Sequence, residues 1–203
     1  MLTIGLTGPS GAGKGTIASL FAVYGIPSVD TDAIYHALLV PPSDCLLELA
    51  ERFGDNILSA DGTLNRKALA ALVFAPGHET DLADLNAISH RHVLFEVRRI
   101  LDVYREQGKP AVLVDAPQLF ESGFNAECHH ILSVLAPRDI RLARIMARDG
   151  LDEERASARL NAQKPDEFYR AHSDAVVYNH GEARAMEADV RRLLTLWEVP
   201  YEA

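Results

Sequence analysis

A glycine-rich run near the start of the chain has the spacing of a loop that binds phosphate. Residues 8–16 read Gly-Pro-Ser-Gly-Ala-Gly-Lys-Gly-Thr and contain the pattern G-x-x-x-x-G-K. Gly8, Gly11 and Gly13 let the backbone turn sharply and aim N–H groups at phosphate oxygens, and Lys14 has the length to reach the β- and γ-phosphates. The run predicts a site for a nucleoside triphosphate, with an ordinary glycine-rich turn as the alternative.

The residue after the loop lysine departs from the usual pattern. It is Gly15, where Ser or Thr is expected, and the hydroxyl follows one residue later at Thr16. A second candidate for the metal that accompanies a triphosphate is Asp115, which ends the apolar run Ala111–Asp115. P-loop proteins use such a carboxylate to hold Mg²⁺ or its waters. We expect Thr16 and Asp115 to serve Mg²⁺, in part through water, although Asp115 would equally suit a strand cap.

Two carboxylates, Asp30 and Asp32, follow the next apolar run as Val-Asp-Thr-Asp. A carboxylate beside an acceptor hydroxyl can orient it and take its proton during phosphoryl transfer. We expect Asp32 to be this catalytic base. The alternative for either residue is capping of the helix expected from Ala33, because Asp is a preferred N-cap.

A cluster of arginines stands out against an acidic chain. Four arginines and one acid lie between positions 138 and 148, a local net of 4 − 1 = +3. Arg141, Arg144 and Arg148 fall within about 60° of one helix face at 3.6 residues per turn. Arginines on a mobile segment can close over a transferring phosphoryl group, so we expect a lid here. Pairing with nearby acids such as Asp149 is the alternative for any one of them.

These residues need a scaffold, and the apolar pattern predicts one. Strands alternate with helical segments, which is typical of an α/β fold with a parallel sheet covered on both faces. Ligands in such sheets bind at the carboxyl ends of the strands, where the candidate residues fall. The five expected strands are Leu2–Thr7, Ile26–Asp30, Ala111–Asp115, Ile131–Leu135 and Ala175–Tyr178.

Two helical insertions interrupt this alternation. The first, about 33–108, contains helical patterns near Cys45–Phe53, Arg66–Phe74 and Thr80–Tyr104. The second, about 138–170, is polar and has Asp152 as a candidate N-cap. A closing helix is expected over Glu182–Trp197. We therefore predict one domain, residues 1–203, with an inserted helical subdomain and a helical lid.

Composition narrows the class of protein. The net charge is −9, which argues against a general nucleic-acid surface. No apolar run approaches the roughly 20 residues of a membrane span, and the first residues already read as structural, so we expect a cytoplasmic protein. A monomer or weak oligomer is a separate expectation. Cys45 and Cys128 lack metal-ligand spacing, and the histidines lack a zinc pattern.

The chain resembles the dephospho-CoA kinases almost from end to end. Besides the loop and the Asp-x-Asp pair, the segments that carry the resemblance are Phe53–Leu58 with Asp61–Arg66, Leu85–His90, Pro117–Glu121, Arg148–Leu151 with Arg159 and Gln163, and Asp174–Asn179 with Gly181. The chain departs from the family pattern at Gly15, at Arg91 in place of proline, and at Gln118 in place of leucine.

The resemblance implies a P-loop NTPase three-layer fold with a parallel five-stranded sheet and a helical lid. It also implies that the first helical insertion, about 33–108, is the acceptor-binding part that binds CoA. It implies that ATP and dephospho-CoA are the substrates, that Mg²⁺ is the cofactor, and that the ribose 3′-hydroxyl is the acceptor. By the same resemblance, Arg141 belongs to the lid clamp, and Arg66 and His90 join Asp32 on the acceptor side. The residues assigned to ATP are Thr7, Gly11, Ala12, Gly13, Lys14, Gly15, Thr16, Arg144 and Asn179.

Two other functions compete with this interpretation. A cytidylate- or adenylate-type nucleoside monophosphate kinase is the nearer rival, because Gly13–Thr16 and Val29–Tyr35 also resemble loops of those enzymes. The segment from Phe53 to His90 argues against it. A nucleotide-dependent switch would need neither Asp32 nor an arginine lid, and the Asn-Lys-x-Asp base motif of guanine-specific switches is absent from the sequence.

Overall fold

The chain forms two compact units. The computed structural model describes residues 1–75 and 77–201, so residues 202–203 of the expected single domain lie outside it. Met1–Val29 together with Tyr104 onward forms one unit, called here the sheet unit, and Asp30–Val103 forms the other, called the helical unit. The helical unit overlaps the insertion expected at about 33–108.

The described strands form a parallel sheet that carries the sheet unit. The strands are β1 Leu2–Thr7, β2 Ser28–Asp30, β3 Ala111–Asp115, β4 His130–Leu135 and β5 Ala175–Tyr178. Their order is β2-β3-β1-β4-β5, with parallel pairing of β1 to β3 and β4, and of β4 to β5. The interior strands are near-continuous apolar runs, as expected for a sheet buried on both faces.

Two helices cover one face of this sheet. Helix α1, Lys14–Val23, follows the glycine loop, and the closing helix Ala183–Leu196 packs beside it. Alternate strand residues such as Ile4, Leu6 and Leu132 share one fully buried cluster with Phe21 of α1. Because side chains in a strand alternate between faces, these residues define a single core layer, from which the loop after β1 emerges.

The lid region lies wholly within the sheet unit. After β4 the chain forms α6 Arg138–Asp149, α7 Glu153–Asn161 and α8 Asp166–His172, and the closing helix is α9. The Asp152 carboxylate caps α7 as predicted, accepting the Arg155 N–H at 2.8 Å. Helices α6 and α7 pack through a small core of Ile145, Ala156 and Leu160.

The helical unit has its own apolar core. Its helices are α2 Thr31–Leu38, α3 Asp44–Phe53, α4 Arg66–Val73 and α5 Glu79–Glu106, the last of which continues past the unit boundary. Cys45, Leu49, Phe53 and Ile88 are among its buried core residues. Helix α3 begins where the Ser43 hydroxyl accepts the Leu46 N–H, and α4 begins where the Asn65 side chain accepts the Ala68 N–H.

One predicted strand is shorter than expected. The sequence pattern placed it at Ile26–Asp30, whereas the structure has only Ser28–Asp30. The Ile26 N–H instead bonds the Phe21 carbonyl at the end of α1, and Pro27 has no N–H to give to a ladder. Among residues 1–75 and 77–201, no helix has the length and apolarity needed to cross a membrane.

Candidate functional site

The loop glycines are required because backbone and side chains press against them. Gly8 has φ +138°, and a Cβ there would lie 2.2 Å from the Val134 carbonyl oxygen. At Gly11, φ +78°, a Cβ would lie 2.7 Å from the Arg141 carbonyl oxygen. These φ values are strained for any side chain, so the loop path depends on glycine at both positions.

The loop leaves a row of backbone donors open. Helix α1 begins at Lys14 with Gly13 as its cap, and no side chain caps it. Within the described residues, the N–H groups of Gly13, Lys14 and Gly15 have no intramolecular acceptor. The first N–H groups of a helix point away from it and carry partial positive charge. Because the Lys14 ammonium lies 3.5 Å from the Gly8 carbonyl oxygen, its charge faces the same loop. The arrangement suits an anion of the size of a phosphate.

Arg144 and Asn179 form hydrogen bonds with the backbone of the phosphate loop. Arg144 donates to the carbonyls of Gly11 and Ala12 at 3.0 and 3.3 Å and to the Asn179 side-chain oxygen at 3.1 Å. Asn179, only 2 % exposed, donates its amide to the Ala12 carbonyl at 2.9 Å. A Cβ at Gly13 would lie 2.1 Å from that amide nitrogen. Asn179 therefore shapes the loop and has little surface to offer to a nucleotide.

Arg141 lies against the loop but is turned inward. It is 9 % exposed, and its guanidinium pairs with Asp166 of α8 at 3.3 Å. Its Nε is buried and has no hydrogen-bond partner within residues 1–75 and 77–201. A buried guanidinium N–H without an acceptor costs free energy, which an added anionic oxygen would recover.

At the exposed end of the lid, the charged side chains pair with one another. Arg148 bonds Asp149 at 2.8 Å, and Arg159 bonds the same carboxylate at 2.7 Å. The Arg148 guanidinium thereby holds the pKa of the Asp149 carboxyl below its usual range. Arg148 also approaches the Ser10 hydroxyl at 3.4 Å. The pairing of Arg148 with Asp149, raised above as an alternative, is present.

The remaining sheet-unit candidates differ in accessibility. Thr7 is fully buried, so its side chain is closed to a ligand in this conformation. Thr16 is exposed on the first turn of α1, and Asp115 ends β3 opposite Leu6, at the edge where the loop begins. A Cβ at Gly15 would meet no atom within 4 Å, so the site has room there for ligand or water.

In the helical unit, the two candidate carboxylates have different roles. Asp30 caps α2, accepting the Ala33 N–H at 2.9 Å, so the capping alternative holds for Asp30. The helix begins at Thr31 rather than at the expected Ala33. Asp32, in the first turn, is exposed, and its side chain has no hydrogen bond or ion pair within the described parts of the chain. Asp32 is thus the carboxylate left available for chemistry.

The other two acceptor-side candidates, Arg66 and His90, lie on helices α4 and α5 of this unit. Arg66, exposed at the start of α4, bonds the Nδ1 of His36 at 2.9 Å. His36 lies four residues after Asp32 on α2, so the two share a helix face. His90 is half-buried on α5. Nearby, burial raises the pKa of the Tyr35 hydroxyl, which keeps that group neutral.

Three contacts of the site were missed by sequence reasoning. They are the bond from Ser10 N–H to the Gln163 side chain at 2.9 Å, the pair of Arg141 with Asp166, and the bond of Arg66 to His36. Asp32 and His36 are spaced to share one face of a helix, but that spacing does not predict the contact of His36 with Arg66. The other two join segments that are distant in sequence or separated by a helix, where local spacing carries no information.

The sheet order β2-β3-β1-β4-β5 and the glycine loop after β1 place the chain in the P-loop NTPase class of folds. The solved structure of TT1252 from Thermus thermophilus is similar, with a TM-score of 0.78 and 34% identity, covering 96% of this chain and 97% of that one. A dephospho-CoA kinase from Campylobacter jejuni shares the fold, with a TM-score of 0.69 at 24% identity over 95% of each chain.

Sequence comparison identifies the family. The dephospho-CoA kinase of Anaeromyxobacter dehalogenans is 42% identical over 195 residues, which is 96% of this chain and 91% of that protein. The model of the dephospho-CoA kinase family matches residues 2–185. The chain belongs to the dephospho-CoA kinase family.

Proposed function

We propose that this chain transfers the γ-phosphoryl group of ATP to the ribose 3′-hydroxyl of dephospho-CoA, giving coenzyme A and ADP. The observation that carries the proposal is the extent of the family match, residues 2–185. It spans the loop, the α2 carboxylate, the whole helical unit and the lid. A match confined to the loop would have supported nucleotide binding alone.

On the donor side, the loop N–H groups and Lys14 bind the triphosphate. The donors of Gly13, Lys14 and Gly15 are open, and the ammonium of Lys14 lies beside them. Charge that develops on the transferring phosphoryl group is stabilised by groups already aimed at it, because preorganised donors need no reorganisation during the reaction. Arg144 contributes by fixing the loop carbonyls, and Arg141 supplies the buried N–H described above.

On the acceptor side, Asp32 orients the hydroxyl and accepts its proton. An exposed carboxylate with no partner of its own is free to accept a hydrogen bond from substrate. Arg66 and His90 bind the anionic part of dephospho-CoA, and the bond of Arg66 to His36 sets the direction of its guanidinium. Dephospho-CoA carries a pyrophosphate, which a planar guanidinium can contact through two N–H groups.

The residues at the loop fit Mg²⁺. The Thr16 hydroxyl and the Asp115 carboxylate are hard oxygen donors, and Mg²⁺ in kinases is usually held by one or two such groups together with substrate phosphates and water. Within the described residues, no three His, Cys, Asp or Glu side chains cluster as a metal site, so the triphosphate would bring most of the ligands. When bound, Mg²⁺ neutralises charge on the phosphates.

The test is a substrate panel with the full chain. Purified protein receives ATP and Mg²⁺ with dephospho-CoA, CMP, AMP or no acceptor, and ADP release is followed together with the mass of the acceptor product. We expect ADP and coenzyme A only with dephospho-CoA. Phosphorylation of CMP without reaction of dephospho-CoA would overturn the proposal.

A further inference from the structure

We propose that Gln163 is a positioning residue that holds the phosphate loop in its binding conformation. Its side-chain oxygen accepts the Ser10 N–H at 2.9 Å, across 153 residues of sequence. The bond is partly buried. Gln163 contacts backbone and not the reacting atoms, so any effect on the reaction passes through the loop. The inference rests on the proposed function only for its kinetic readouts.

The loop is held at three successive residues. Gln163 holds residue 10, and Arg144 holds the carbonyls of Gly11 and Ala12. Gln163 accepts a hydrogen bond from a backbone N–H group of the loop, whereas Arg144 donates hydrogen bonds to backbone carbonyl oxygens. Without Gln163, the Ser10 N–H would lose its acceptor and would have to bond water instead.

The turn that carries Gln163 is anchored independently of the loop. Lys164 pairs with Glu121 at 3.1 Å, and its ammonium lies 4.3 Å from the centre of the Phe168 ring. Phe168 meets Phe120 edge-on, with ring centres 5.0 Å apart. Gln163 itself donates its N–H to the Leu160 carbonyl at the end of α7. The side-chain oxygen of Gln163 therefore lies on a turn between α7 and α8 that is held in place by contacts outside the phosphate loop.

A neutral amide suits this position. The donors of Gly13, Lys14 and Gly15 in the same loop are arranged to receive an anion, so a carboxylate at position 163 would add negative charge close to where phosphate binds. Glutamine accepts the same hydrogen bond with no net charge. The position thus calls for an acceptor that is long enough to reach Ser10 and is uncharged.

The test compares Gln163→Ala with Gln163→Glu. Gln163→Ala is expected to weaken ATP binding about tenfold, the effect of one lost hydrogen bond, and to raise the KM for ATP while kcat changes less than about threefold. The Ser10 amide should exchange with solvent faster. Gln163→Glu should restore the slow exchange of Ser10 and still bind ATP more weakly than wild type. Gln107→Ala, an exposed glutamine outside the lid, is the matched control.

ATP binding is measured in the absence of any acceptor substrate. The binding result therefore tests the role of Gln163 even if dephospho-CoA is not the acceptor. Binding of ATP to Gln163→Ala within twofold of wild type, or unchanged exchange at Ser10, would overturn the proposal. So would a uniform rise of exchange across the sheet unit, because it would mean that Gln163 supports the fold and not the loop. If Gln163→Ala does not fold, Gln163→Asn, whose oxygen is one methylene short, gives the same readouts.

Discussion

The two units differ in whether their candidate functional groups already have hydrogen-bond partners in the protein. In the sheet unit, the loop is bonded from several directions, by Arg144, Asn179 and Gln163. In the helical unit, the key carboxylate, Asp32, is exposed and has no partner within the described residues. The phosphate loop is therefore shaped by the protein itself, whereas under the proposed function Asp32 obtains its hydrogen-bond partner from the substrate. We therefore expect mutations in the phosphate loop of the sheet unit to weaken ATP binding, and mutation of Asp32 in the helical unit to slow turnover.

Asp32→Asn should give the largest effect and tests the helical-unit half of this comparison. Removing a base of this kind lowers kcat by about 10²–10⁴-fold, while ATP binding by the loop should change less than about twofold. Steady-state kinetics with dephospho-CoA and direct ATP binding measure the two quantities. Asp30→Asn is the control, since Asn caps a helix as well as Asp does. Near-normal turnover by Asp32→Asn would remove Asp32 from the role of base.

Gly13→Ala tests the sheet-unit half. Residue 13 has φ +96°, and a new Cβ would meet the Asn179 amide at 2.1 Å. Strain of about 1–3 kcal/mol should weaken ATP binding by roughly 10–100-fold through displacement of the loop. Gly15→Ser, two residues on, has open space around its Cβ and should bind ATP within about threefold of wild type. Equal losses in both variants would mean that the Asn179 contact does not shape the loop.

Glu48→Gln should have the smallest effect, because Glu48 is a paired group of the helical unit that serves the fold. Hydrogen bonds from Arg91 and then His92 hold the pKa of Glu48 below its ordinary value. A lowered folded-state pKa adds stability above the unfolded pKa, and that stability is lost as pH falls through the folded pKa.

Glu48→Gln should therefore lower Tm by no more than a few degrees at neutral pH, with the difference shrinking under acid conditions. Thermal unfolding from pH 3 to 7 measures this, and Glu51→Gln on the same helix is the control. A Tm difference that grew as the pH fell would contradict the ion-pair assignment. A loss of ATP binding would contradict a role of Glu48 that is confined to the fold.

The sequence allowed the strands, the loop and the bounds of α3, α4, α5 and α9 to be predicted within two residues, because those features depend on local patterns. Glycine spacing predicted the loop, and short apolar segments that alternate with helical segments predicted the parallel sheet. Asn179 was assigned to the site through family resemblance, but its bond to the Ala12 carbonyl was not predicted. Bonds such as that of Ser10 to Gln163 join residues that only the folded chain brings together, so no local pattern encodes them.

The bond between Asn179 and Ala12 also bears on the order in which the molecule is completed. The two residues are 167 positions apart, and a ribosome makes the chain from the N-terminus. The phosphate loop is therefore synthesised well before the residue that makes this contact with it. A nascent chain carries the whole loop sequence long before β5 and Asn179 exist to give that loop its shape.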